Sequence, residues 1–68
     1  MRFRVQLECE DDGRWLAEVI DLPGVLAYGA TREEALSSVK ALALRVVADQ
    51  IEHGEVSSEF ADLSFLAA

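Results

Sequence analysis

The 68-residue chain is poor in several residue types. It has one cysteine, one proline, one histidine, four glycines, and six basic side chains against thirteen acidic ones. Each scarcity excludes something. With Cys9 alone there is no intrachain disulfide framework. A single thiol in a strand-like run reads as a small buried apolar residue, and it suits a reducing compartment, so a cytoplasmic location is expected. The net charge of −7 lacks the basic footprint that a phosphate backbone requires, which argues against direct nucleic-acid binding. No apolar stretch approaches the ~18 residues of a membrane span, and no basic segment precedes an apolar run in the manner of a signal peptide. His53 is the only histidine. No serine or cysteine has a reason to lie beside it, and the end of a helix dipole accounts for it.

What the chain does have is a hydrophobic half and a strict order of punctuation. A domain this short buries only about 60% of its unfolded surface. With no disulfide to help, a thin core is completed by close packing or by oligomerisation. One domain, 1–68, is expected.

Residues 2–9 alternate. Phe3, Val5, Leu7 and Cys9 lie on one face and Arg2, Arg4, Gln6 and Glu8 on the other, which is a strand covered on one side. Asp12-Gly13 supplies the positive φ of a tight hairpin. The chain returns as Arg14–Ile20, with Trp15, Ala17 and Val19 on the face of Phe3 and Val5. Leu16 and Ile20 leave the opposite face partly apolar. Asp21-Leu22-Pro23-Gly24 forms a second corner, because proline fixes φ and glycine accepts the left-handed position. Val25–Tyr28 gives a short third strand, and Gly29 leads out of the sheet.

Thr31 then caps a helix, and Glu34 three residues on completes a capping box. The helix is expected from about Arg32 to about His53, with Gly54 as its stop. Leu36, Val39, Leu42, Ala43, Val46 and Val47 make its sheet-facing stripe. Leu44, Ala48 and Ile51 widen the apolar surface beyond what one sheet face needs. About 22 residues span roughly 33 Å, against about 23 Å for a seven-residue strand. The helix therefore overhangs. The overhang is covered either by the C-terminal tail or by a second copy, with Leu44, Ala48 and Ile51 as the self-association residues.

A last strand, Leu63–Leu66, follows a polar connector. A right-handed crossover places it parallel to the first strand. The expected fold is α+β: a three- to four-stranded, mostly antiparallel sheet with one long helix on one face. The element order is β-β-β-α-β and the spatial order 3-2-1-4, a partial ribonuclease H-like sheet.

That likeness raises a nuclease reading, and the residues argue against it. Two-metal nucleases need converging carboxylates, whereas the inward positions of the first strand are Phe3, Val5, Leu7 and Cys9. Asp11, Asp12 and Asp21 lie at turns, where acidic residues serve turn geometry. Glu8 and Glu18 share the outer face with nothing to join them. No phosphate-cradling loop is present. No catalytic residue, metal or cofactor is expected, and the chain reads as a binding module rather than an enzyme.

The ordered set Asp12-Gly13, Trp15, Ala17, Glu18, Val19, Asp21-Leu22-Pro23-Gly24, Gly29, Thr31, Glu33, Glu34, Ala35 and Leu36 resembles the N-terminal domain of HicB-like antitoxins. In that comparison Gly13, Trp15, Pro23, Gly24, Gly29, Thr31 and Glu34 are the structural motif. The resemblance implies a prokaryotic toxin–antitoxin role. The domain would bind and neutralise a HicA-type toxin, a small basic ribonuclease that cleaves messenger RNA, by covering its active site. An acidic module suits a basic partner. Glu10, Asp11, Asp12 and Asp21, with Tyr28 as an aromatic anchor, are the expected toxin contacts.

Two departures qualify the likeness. The DNA-binding segment that typical members carry is not found before Ala68, and Val25 stands where many members have cysteine. The alternative is a solitary self-assembling scaffold domain, a dimer or tetramer, with no toxin partner.

Overall fold

The computed structural model describes residues 2–54 and 64–67. Strand β1 (Arg2–Cys9) pairs antiparallel with β2 (Trp15–Val19), which pairs antiparallel with β3 (Leu26–Gly29). Helix α1 (Arg32–Glu52) follows, and β4 (Ser64–Ala67) returns parallel to β1. The sheet order is β3-β2-β1-β4, so the α+β arrangement and the 3-2-1-4 order are those expected. The connector and Leu63 lie outside the described residues.

Strand alternation sorts the two sheet faces. Phe3, Val5, Ala17 and Val19 are buried toward the helix. Phe3 and Phe65 meet edge to face, with ring centroids 5.6 Å apart, which ties β4 to β1 inside the core. Cys9 departs from the expected pattern: it is exposed. It is the last residue of β1 and pairs with Trp15 beside the hairpin. Its Sγ donates only to the neighbouring Glu10 carbonyl, at 3.7 Å.

The hairpin also differs from a two-residue turn. Gly13 donates its N–H to the Glu10 carbonyl at 3.0 Å, and Glu10 donates to the Arg14 carbonyl at 2.7 Å. Only Gly13 of this loop has a positive φ, +89°. The loop is thus a three-residue connection ending in a left-handed glycine.

The helix begins as its cap predicts. Thr31 is extended and its Oγ1 accepts from the Glu34 N–H at 3.1 Å. The Glu34 carboxylate reaches back one residue further than a capping box requires, accepting from the Ala30 N–H at 3.0 Å. Glu52 is the last helical residue and His53 the C-cap. Gly54, at φ +71°, turns the chain away.

The buried stripe of α1 is Ala35, Val39, Ala43 and Val47, at strict four-residue spacing. Leu36, Leu42 and Val46, expected in the same stripe, are only partly buried along its flanks. The cause lies at Gly29. It sits within β3 with no left-handed conformation, so it is not a turn glycine. A Cβ there would overlap the backbone of Glu34 and Ala35. Small residues on both layers (Ala17, Ala27 and Gly29 below, Ala35 and Ala43 above) bring helix and sheet close together. The bulkier leucines are displaced to the sides. Beyond Val47 the helix has only exposed residues apart from half-buried Gln50, so the overhang is real.

Candidate binding surface

The outer sheet face carries no helix among the described residues. Its upward positions are Arg2, Arg4, Gln6 and Glu8 on β1, Leu16 and Glu18 on β2, and Leu26 and Tyr28 on β3. Register sets Leu16 opposite Tyr28 and Glu8 opposite Leu16, forming a row across three strands at the hairpin end. Glu18 lies opposite Gln6 and Leu26, so Glu8 and Glu18 are diagonal rather than facing neighbours. Among the described residues no three His, Cys, Asp or Glu side chains converge as a metal would require.

At the hairpin end the turn organises the surface. Asp12 accepts twice from Arg14, from its N–H at 3.0 Å and from its Nε at 2.8 Å. These bonds, the backbone one foremost, hold the Asp12 carboxyl below its ordinary pKa. Thus fixed, the Arg14 guanidinium lies 4.5 Å from the centre of the Tyr28 ring. A guanidinium over a tyrosine face is a cation–π contact. Asp12, Arg14 and Tyr28 therefore form one chain of contacts. Asp11 is exposed at the tip, and half-buried Glu10 spends its backbone on the turn.

Asp21 is not part of this group. It sits at the opposite end of the sheet, after β2. Its Oδ2 accepts from the Arg4 N–H at 2.7 Å, and its Oδ1 from Arg4 Nη2 at 2.9 Å and Nε at 3.3 Å. With the Ile20 N–H donating to the Arg4 carbonyl at 3.0 Å, these bonds extend the β1–β2 ladder past Val19. The Arg4 bonds, side chain first, lower the Asp21 pKa, and Asp21 in turn raises that of Arg4. Arg4, Ile20 and Leu66 line a shallow apolar groove beside it.

Of the five acidic and aromatic residues expected to bind a partner, the fold thus gathers Glu10, Asp11, Asp12 and Tyr28 at one end and leaves Asp21 as a strand lock at the other. Sequence reasoning overlooked Leu26 and Leu66, both exposed. The signal was present in β3, where the alternation Leu-Ala-Tyr-Gly puts both large side chains on one face. The Arg14–Tyr28 contact had no signal, because it depends on the register of two strands.

Leu44 and Ile51 are each 49% exposed and Ala48 is exposed; at this spacing the three share one outward stripe of α1. His53 Nδ1 lies 2.7 Å from the Asp49 carbonyl and 3.3 Å from its carboxylate, a local contact at the helix end. No helix of the described residues is long and apolar enough to cross a membrane. Comparison with protein-family models, curated proteins and solved structures finds no match for this chain.

Proposed function

We propose that this chain is a non-catalytic, HicB-like docking domain that binds and neutralises a small basic ribonuclease of the HicA type. The observation that carries the reading is the hairpin-end surface. There Tyr28 stands on an open sheet face, held by Arg14, which Asp12 fixes in turn; Glu8 lies in the same row beyond Leu16, and Glu10 and Asp11 belong to the same hairpin. An aromatic anchor within an acidic rim suits a basic protein surface. A chain of net charge −7 steers such a partner into contact.

The test is co-expression with the product of an adjacent small basic open reading frame. The pair should pass through a sizing column together, and RNA cleavage by the partner should stop in the complex. Asp11→Lys and Glu8→Lys should slow association more than they speed dissociation. Separate elution of the two proteins defeats the reading.

A second reading, self-assembly without a toxin, is favoured by half-exposed Leu44 and Ile51 on the overhanging helix. Light scattering on the isolated chain distinguishes a monomer from a dimer or tetramer.

A further inference from the structure

We propose that β3 is a self-pairing edge, through which two copies of this chain join their sheets into one of eight strands. The pairing rests on the self-assembly reading but places the contact at β3 and not at Leu44 and Ile51; because it covers Tyr28, it competes with the toxin contact proposed above.

Among the described residues strand β3 ends the sheet and bonds only to β2. Val19 donates its N–H to the Val25 carbonyl at 2.9 Å. Antiparallel alternation then turns Ala27 and Gly29 toward β2, and the N–H and C=O of Leu26 and Tyr28 away from the sheet. Among the described residues those four groups have no hydrogen-bond partner. The strand carries no proline, lysine or inward charge to protect its edge, and its four residues limit the pairing to the two residue pairs described below.

The edge is self-complementary. A two-fold axis through Ala27, normal to the sheet, sets Leu26 of each copy opposite Tyr28 of the other. Both residues present outward backbone groups, so each pair exchanges two hydrogen bonds. Leu26 and Tyr28, 42% and 45% exposed, then cover one another on the outer face.

Four hydrogen bonds alone hold little, and the helices supply the rest. Helix α1 packs chiefly on β3 and β2. With strands about 4.8 Å apart, the two α1 axes would run antiparallel about 10 Å from each other, which is the usual helix-packing distance.

The flank they would share follows from the structure. Lys40 Nζ lies 5.9 Å from the Phe65 ring of β4, so the opposite flank faces the β3 edge. Gly29 lies beneath Ala35. Two strand residues back, about 7 Å, corresponds to about four helix residues, which puts the axis level with Val39 to Lys40. Ser38 of one copy then meets Ala41 of the other, both small and exposed, where the helices approach. Further out, Arg45 faces Glu34 of the second copy, and Arg45 has no ion-pair partner among the described residues.

Sedimentation and amide hydrogen exchange on the full chain test this pairing. The chain should form a dimer that dissociates on dilution. The amides of Leu26 and Tyr28 should be protected in the dimer and exchange freely once it is diluted apart. Leu26→Pro removes an outward N–H without touching the β2 ladder, and it should weaken dimerisation by about tenfold or more. The double variants Leu26→Lys/Tyr28→Lys and Leu26→Glu/Tyr28→Glu should each be monomeric and should form a heterodimer when mixed.

A chain that is monomeric at every concentration overturns the pairing and the self-assembly reading together. A dimer whose Leu26 and Tyr28 amides exchange freely overturns the pairing alone. So does one that survives Leu26→Pro but is lost in Leu44→Glu/Ile51→Glu. Should Leu26→Pro unfold the chain, the exchange of those two wild-type amides decides by itself.

Discussion

The Arg14 guanidinium stands 4.5 Å from the centre of the Tyr28 ring, joining the hairpin loop to the edge strand two strands away in sequence. The contact forms because Asp12 has already fixed Arg14 through its Nε at 2.8 Å. A double-mutant cycle between Arg14→Ala and Tyr28→Ala should show a coupling of about 0.5–1 kcal/mol, the range for an exposed cation–π pair. The cycle with Tyr28→Phe, which keeps the ring, should show almost none. Equal coupling in both cycles would assign the effect to the Tyr28 hydroxyl and not to the ring.

Gly29→Ala should destabilise the fold by about 1–3 kcal/mol, the usual cost of overpacking, because its methyl meets helix backbone rather than a movable side chain. Gly24→Ala strains a left-handed position in open space and should cost about 1 kcal/mol. Thermal unfolding of the two variants ranks them, and the reverse order would mean that the helix can lift off β3 cheaply.

Asp21 has a folded pKa below its unfolded value because Arg4 binds its charged form. Its stabilising contribution is therefore present above the unfolded carboxylate pKa of about 3.9 and is lost as pH falls through the lower folded value. Stability of the wild type should decline over that acid window. Asp21→Asn should lower stability at neutral pH and flatten the acid decline. Urea titrations at pH 7 and pH 3 check this, and an unchanged slope would remove Asp21 as its source.

Thr31→Ala should cost about 1 kcal/mol, since it leaves the Glu34 N–H without its acceptor. Thr31→Ser should restore most of the loss. Chemical denaturation suffices as the measurement.

The layout of this fold was readable from local rules. Alternation gave Phe3 and Val5 their face, Pro23-Gly24 marked the second corner, and Thr31 opened the helix, because each depends on a few adjacent residues. What was not readable depends on contacts distant in sequence. Of the expected helix stripe Val39, Ala43 and Val47 are buried, but Ala35 joins them and Leu36 and Leu42 are pushed to the flanks because Gly29 lets the layers approach, and no periodicity carries that information. Cys9 looked buried because it continues an apolar alternation, yet the strand runs out at the hairpin. Of the binding surface, the acidic hairpin was legible as composition. The separation of Asp21 from it was implied by the same layout, because successive turns of an antiparallel meander fall at opposite ends of the sheet, and grouping Asp21 with the hairpin overlooked this.

The parallel strand β4 closes against β1, the described strand farthest from it in sequence. During synthesis the hairpin, the third strand and the helix can all assemble while Phe3 still lacks the ring of Phe65 beside it. The nascent chain thus carries one unsealed flank until β4 has been made. Loss of β4 by clipping would uncover β1, far from the cut in sequence.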